Sequence, residues 1–243
     1  MLIRVLTYNI HKAIGGVDRR YRLGRVAEVI GHYDPHIALL QEVDEGVPRS
    51  RGDAQFELLS RELGYAHGAY QKNVRLRRGA YGNAVLSRLP LEHAEDFDLT
   101  VRPKKRRRAQ IVRLALSDAG HRRTLVVANL HLGLAGFERR IQLRRLLHDS
   151  PLSRVRRDTP CLVGGDFNDV WASIGARIMR PAGFESATGL VRTFPARAPL
   201  RPLDHVYFRG PCSADHAYAG RIALAREASD HLPLVAELRI DLE

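Results

Sequence analysis

The order in which the apolar patterns change along the chain constrains its fold more than any other feature. Leu2–Ile10 is β-rich, and Leu23, Val26, Ala27 and Ile30 then fall at i, i+3, i+4 and i+7, the stripe of an amphipathic helix that Asp34-Pro35 stops. Ile37–Val43 is a short apolar run of buried-strand character, and a helix over about Ala54–Leu63 follows, with Gly64 placed to end it. This β-α-β-α opening gives way to short runs at Asn83–Ser87, Gln110–Leu116 and Thr124–His131, separated by Pro, Gly and charged turns as in antiparallel ribbons. A helix returns at Phe137–Leu147. Thr159–Gly164 reads as a strand, Ala172–Met179 as a short helix, and His205–Phe208 and Pro233–Ile240 as strands. The elements are mixed without strict alternation, and neither a fixed-period repeat nor a linker interrupts them. The expected architecture is α/β, two mixed sheets packed as a sandwich with helices outside, in a single domain over residues 1–243.

Composition narrows the class. A 44% hydrophobic content supports a sizeable core. No apolar run approaches the roughly 20 residues that cross a bilayer, and the start lacks signal-peptide anatomy. Cys161 and Cys212 are far apart, so a reducing cytoplasm is the simplest expected location. The net charge of +12 favours a polyanionic partner: nucleic acid first, anionic phospholipid second. Its densest patches are Arg102-Pro-Lys-Lys-Arg-Arg-Arg108 and Arg75-Leu-Arg-Arg78, neither interleaved with stacking aromatics. An excess of arginine over lysine also arises from high-GC coding bias, so charge alone does not identify a ligand. No feature indicates a protein partner.

Polar residues recur where strands are expected to end: Asn9, Glu42, His131, Asp166 with Asn168, Asp204, and Asp230 with His231. Sites are built at such ends. Taken singly, Asn9 is equally a turn residue, Glu42 a surface charge and His131 a satisfied interior histidine. Gly164-Gly-Asp-Phe-Asn168 is harder to dismiss, because paired glycines let backbone approach a ligand while a carboxylate and a carboxamide two residues apart converge on it. Ser229-Asp-His-Leu-Pro233 sets a hard oxygen ligand beside an imidazole that titrates near neutral pH.

The blocks Thr7-Tyr-Asn-Ile-His11, Leu40-Gln-Glu-Val43, Asn129-Leu-His-Leu132, Gly165-Asp-Phe-Asn168, Leu203-Asp-His205 and Ser229-Asp-His231 span nearly the whole chain. In identity and order they resemble the endonuclease/exonuclease/phosphatase superfamily. The resemblance implies a DNase I-like four-layered α/β sandwich and a Mg²⁺-dependent hydrolase, Mn²⁺ substituting, that cuts phosphodiesters by direct attack of water. By the same resemblance, Glu42 is the principal metal ligand, with Asp230 and Asn9 in the metal shell. Asp166 orients or deprotonates the attacking water, Asn168 donates to phosphate oxygens, Asp204 holds His231 in its working tautomer, and His131 touches the scissile phosphate. Arg107 aligns with a phosphate-pairing arginine of relatives, with Arg108 nearly as well placed. Asn83 either faces the cleft from a strand end or is a buried amide satisfied by backbone. Which group takes the proton, Asp166 or the Asp204–His231 pair, stays open.

Two departures speak to substrate. Asn168 is followed by Asp169-Val-Trp171, and Tyr8 precedes Asn9, unlike the abasic-site endonucleases. Closer is a bacterial subgroup of stand-alone hydrolases with Tyr-Asn-Ile-His-Lys, Gly-Asn-Ala-Val-Leu-Ser-Arg and Thr-Phe-Pro, here Thr193-Phe-Pro195. Charge favours a nuclease acting on DNA or RNA. The alternatives are a sphingomyelinase-like or small-molecule phosphodiesterase, against whose lipid form stands the lack of an interfacial amphipathic helix, and an inactive basic nucleic-acid-binding module.

Overall fold

The computed structural model describes residues 1–242, residue 176 by its backbone alone. Its strands are β1 (Leu2–Asn9), β2 (Ile37–Glu45), β3 (His67–Arg75), β4 (Ala80–Ser87), β5 (Leu91–Asp98), β6 (Arg108–Asp118), β7 (His121–His131), β8 (Cys161–Asp166), β9 (Glu185–Ser186), β10 (Asp204–Arg209), β11 (Cys212–Ala219) and β12 (Leu234–Ile240). Its α-helices are α1 (Leu23–Tyr33), α2 (Gln55–Glu62), α3 (Gly136–His148) and α4 (Ala223–Ala228).

The strands form two six-stranded sheets, ordered β11-β12-β1-β2-β4-β3 and β5-β6-β7-β8-β10-β9. Each has one parallel pair at its centre, β1–β2 and β7–β8, and antiparallel neighbours elsewhere. The helices α1 and α3 make the two parallel crossovers, so the second half repeats the plan of the first without repeating its sequence. Four layers result. The outer face of the first sheet packs Leu6, Tyr8 and Leu40 against Val26 and Ile30 of α1, Leu59 of α2 and Ala225 of α4. The outer face of the second packs Val126, Ala128 and Leu130 against Leu143 and Leu146 of α3.

Between the sheets, side chains follow the period of two along each strand. The inward rows read Ile3-Val5-Thr7-Asn9 in β1, Ile37-Leu39-Gln41 in β2, Leu125-Val127-Asn129-His131 in β7 and Leu162-Gly164-Asp166 in β8. Each row is apolar at its start, where Ile3, Val5, Ile37, Leu39, Leu125, Val127 and Leu162 share one cluster, and polar at its carboxyl end. The amide donors at this transition are bonded internally, while Gln41 Oε1 has no partner among the described residues. Gln41 Nε2 donates to Thr7 Oγ1 at 3.2 Å and to Asn129 Oδ1 at 2.9 Å, while Asn129 Nδ2 donates across the sandwich to Leu40 O and Ala84 O at 3.1 and 2.9 Å. A buried amide so bonded locks the register of one sheet on the other.

The expected sandwich is present, with local differences. The strand read as Thr159–Gly164 runs Cys161–Asp166, so Asp166 belongs to the strand itself. The expected helix at Ala172–Met179 is a π-type turn over Gly175–Met179 followed by a 3-10 turn over Arg180–Ala182. Asp169 explains the compact loop ahead of these turns: its buried carboxylate accepts the Ile174 N–H at 2.7 Å.

Candidate functional site

The polar ends of the inward rows open into a cleft of about 580 Å³, lined among others by Asn9, Glu42, Arg107, His131, Asp166, Asn168, Asp230 and His231. Pairing aligns part of this set directly, since Asp166 lies opposite His131 on one side and Asp204 on the other. Placing Glu42 takes a special device. Strict alternation would turn it toward the helix layer, but β2 carries a bulge between Gln41 and Val43, and Glu42 is the extra residue, with φ +57. A bulge re-aims a side chain. It sends Glu42 into the cleft while Val43 resumes the helix-side row.

Asp166 is the hub. Its Oδ2 accepts from Asn9 Nδ2 at 3.1 Å and lies 3.4 Å from His131 Nε2 and 3.8 Å from His231 Nε2; its Oδ1 accepts the Asn168 N–H at 2.9 Å. That last bond needs Asn168 left-handed (φ +50), a conformation asparagine tolerates, and Asn168 Nδ2 then donates to Leu132 O at 2.9 Å. Asp204 stands behind His231, accepting from its Nδ1 at 2.8 Å and from the Thr193 hydroxyl. Ser229 closes the corner by donating to Asn9 O at 2.7 Å and accepting the His231 N–H at 3.2 Å.

These contacts set the charge states. Burial alone would discharge His231, but Asp204, with Asp166 and Asp230 adding, outweighs it and lifts the imidazole to about 10. Burial pushes the Asp166 carboxyl up to about 6, the neighbouring Asp204 charge adding and His231 opposing. Burial also opposes ionisation of Glu42, yet His131 and the Lys12 ammonium bring that carboxyl down to about 2. Lys12, in contact with the Glu42 carboxylate, carries this effect, because His131 is itself kept neutral by burial and by Arg107.

Several expectations change. The structure does not bring Asn83 into the cleft: it is buried between the sheets, and its Nδ2 faces Gln71 Oε1 at 3.2 Å and Arg108 O at 3.4 Å. Of the two candidate arginines, Arg107 lines the cleft with its Nε unpartnered among the described residues, whereas Arg108 faces Asp96 at 3.4 Å. The glycine pair expected to give a ligand room is used by the protein instead. A Cβ on Gly164 would stand 2.6 Å from Leu39 Cδ1 of the opposite sheet, and one on Gly165 (φ +142) 2.0 Å from Leu130 O. Sequence reasoning missed His11, Lys104, Lys105, Glu138 and Arg201, which also line the cleft, and the clamp of Thr193 on Asp204. The basic run around Arg102–Arg108 was the available signal for the lysines; Arg201 and Glu138 had none.

The donors that could hold a cation are Glu42, Asp230 and Asn9. An ionised glutamate, an aspartate and an amide oxygen form an all-oxygen set of the kind hard divalent cations take. Asn9 Oδ1 accepts the His11 N–H at 3.0 Å, which leaves it one lone pair. Asp166, Asp204 and His231 also offer atoms within 4.8 Å of one another. There, however, Asp204 Oδ2 is held by two partners, His231 and Thr193, whereas Glu42 Oε2 has one, the flexible Lys12 ammonium that a cation would displace, so the Glu42 side is the better fit.

A sequence model described as the Endonuclease/Exonuclease/phosphatase family matches residues 6–231. An uncharacterized protein, YbhP of Escherichia coli K12, is 32% identical over 249 residues, covering 98% of this chain and 96% of its own. An endonuclease/exonuclease/phosphatase from Beutenbergia cavernae superposes with a TM-score of 0.80 at 23% identity, over 98% of this chain and 72% of that one. The mannosyl-6-phosphatase of Bacteroides thetaiotaomicron does so at 0.75 and 16%, over 98% and 100%.

Proposed function

Because the chain belongs to the endonuclease/exonuclease/phosphatase family, we propose that it is a metal-dependent phosphodiesterase that hydrolyses its substrate by direct attack of water. The observation that carries this reading is the convergence in one cleft of an ionised glutamate, a buried aspartate and two histidines drawn from both sheets. Glu42, Asp230 and the free lone pair of Asn9 would hold Mg²⁺ or Mn²⁺, which when bound polarises a phosphoryl oxygen and offsets substrate charge. The protein's own groups divide the proton traffic. Asp166, an acceptor fixed by Asn9 and the Asn168 N–H, aims the water and takes its proton at Oδ2. His231, held protonated by Asp204, presents Nε2–H to the phosphoryl group or the leaving oxygen. Neutral His131, the second N–H of the Asn168 amide and the Arg107 guanidinium supply further donors to the phosphate oxygens.

Two tests follow from the site. Hydrolysis of bis-p-nitrophenyl phosphate should need added Mg²⁺ or Mn²⁺, stop with EDTA and vanish in Glu42→Ala; turnover undiminished by the chelator would sink the metal-dependent mechanism. A catalytically silent binding module would instead keep nucleic-acid binding in Glu42→Lys and show no turnover in the wild type. The second test is the acid limb. Asp166 acts ionised and its carboxyl is raised to about 6, so kcat/KM should fall as pH drops through about 6. A profile flat from pH 5 to 8 would remove Asp166 as the base.

For the substrate, the basic surface supports nucleic acid. Lys105 Nζ lies 5.1 Å over the Tyr81 ring, joining the Arg102–Arg108 segment to the β3–β4 hairpin that carries Arg75–Arg78. Such a belt would gain counterion-release affinity, weakening with salt, on DNA or RNA. A lipid phosphodiester is the second reading, favoured by Leu134, an exposed apolar side chain in the lining of the cleft.

A further inference from the structure

Large exposed apolar side chains lie in, or next in the chain to, the lining of this cleft. Leu134, which lines it, is 77% exposed. Trp171 follows the lining residue Val170 and is 84% exposed, and Leu200 precedes the lining residue Arg201 and is 67% exposed. Phe137, 47% exposed on the first turn of α3, has the ammonium of another lining residue, Lys104, 5.9 Å from its ring centroid. Four of the exposed large hydrophobics thus sit on or beside the rim of one opening, alternating with the exposed cations Lys104, Lys105, Arg106 and Arg201. Scattered apolar residues need no explanation, but four of them in or beside the lining of a reactive cleft, interleaved with positive charge, make a surface suited to a partner.

The chemistry of this surface selects among polyanions. Duplex nucleic acid offers phosphates to the cations but gives Leu134 and Leu200 nothing apolar to enter. A single strand could stack a base on Trp171, yet it would still leave both leucines wet. The interfacial layer of a bilayer takes leucine, phenylalanine and tryptophan together, and its anionic headgroups meet the lysines and arginines at the same depth. No interfacial helix is needed for this: α3 buries Leu143 and Leu146 against the sheet, and the exposed apolar side chains stand mainly on the loops around it.

We propose that the rim of the cleft docks on an anionic lipid surface, with Leu134, Trp171, Leu200 and Phe137 entering the interface.

Trp171 is the only tryptophan in the chain and therefore a built-in probe of the docking face. With the full chain and phosphatidylcholine vesicles containing phosphatidylglycerol, its emission should shift to the blue and be quenched when the acyl chains are brominated. The effect should weaken with salt and be at least about tenfold weaker in apparent affinity on pure phosphatidylcholine. The Phe137→Ser/Leu200→Ser double variant, which keeps the probe, should lose at least about tenfold in vesicle affinity while hydrolysing bis-p-nitrophenyl phosphate like the wild type. Absence of quenching by brominated lipid would overturn the docking, as would Trp171 quenching by single-stranded DNA with no response to vesicles. Failure of the wild type on the soluble diester would instead refute the phosphodiesterase reading and leave the docking result standing.

Discussion

Asp166→Asn should lower metal-dependent diester hydrolysis by at least about a hundredfold, the usual cost of removing a proton-transfer group, while the protein stays folded. The change is nearly isosteric. An amide oxygen placed where Oδ1 stands still accepts the Asn168 N–H, so the loop that follows β8 keeps its anchor. What disappears is the carboxylate oxygen between the two histidines, 3.4 Å from His131 and 3.8 Å from His231, and with it the group assigned to take the water's proton. His231→Ala should cost as much by the complementary route, removing the proton donor and leaving the Asp204 charge buried without its imidazole. Near-wild-type rates in either purified variant would end the assignment of roles.

Gly165→Ala should be the most damaging small change to the fold, lowering stability by about 3 kcal/mol or more. The site is central: β8 is flanked by β7 and β10, and Gly165 pairs with Leu130 and His205. A Cβ there would lie 2.0 Å from Leu130 O and 2.9 Å from Leu130 C, and φ +142 is a conformation that L side chains rarely adopt. Since the obstacle is backbone of a central strand, nothing flexible can move aside. Thermal unfolding followed by circular dichroism checks this; a melting temperature within a degree or two of wild type would mean the strand can flatten to admit the methyl group. Gly164→Ala should be milder, because its nearest obstacle is the end of the Leu39 side chain at 2.6 Å.

The sequence announced the centre of each sheet and was silent about the rims. β1, β2, β7, β8, β10 and β12 are apolar runs with a helix or turn between them, and all were readable. The strands that escaped, β3, β5, β9 and β11, are the four outer strands of the two sheets. β5 reads Leu-Glu-His-Ala-Glu-Asp-Phe-Asp and β11 Cys-Ser-Ala-Asp-His-Ala-Tyr-Ala. An outer strand borders solvent, so its composition is set by the need not to recruit another chain as much as by the core, and the periodic signal fades. The candidate site was legible for a different reason. Its members end inward-facing rows, and a carboxylate or amide at the end of an apolar run is conspicuous. Asn83 sits in such a row too, and of the two readings open to it the structure has the buried amide, spent on Gln71 and backbone between the sheets. Nothing in Gln41-Glu42 announces a bulge, although without it Glu42 would point at a helix.

The chain's first strand is completed by one of its last. β1 lies between β2 and β12, and the Met1 amine donates to Ile240 O at 2.8 Å across a sequence separation of 239. A ribosome therefore delivers β1 and β2 long before it delivers their partner, and the first sheet waits with an open edge while the second can already form from contiguous strands. Asp230 and His231 sit just ahead of β12 and reach the cleft only when that strand docks. A nascent chain is thus without its complete cleft until β12 has been made and has docked beside β1.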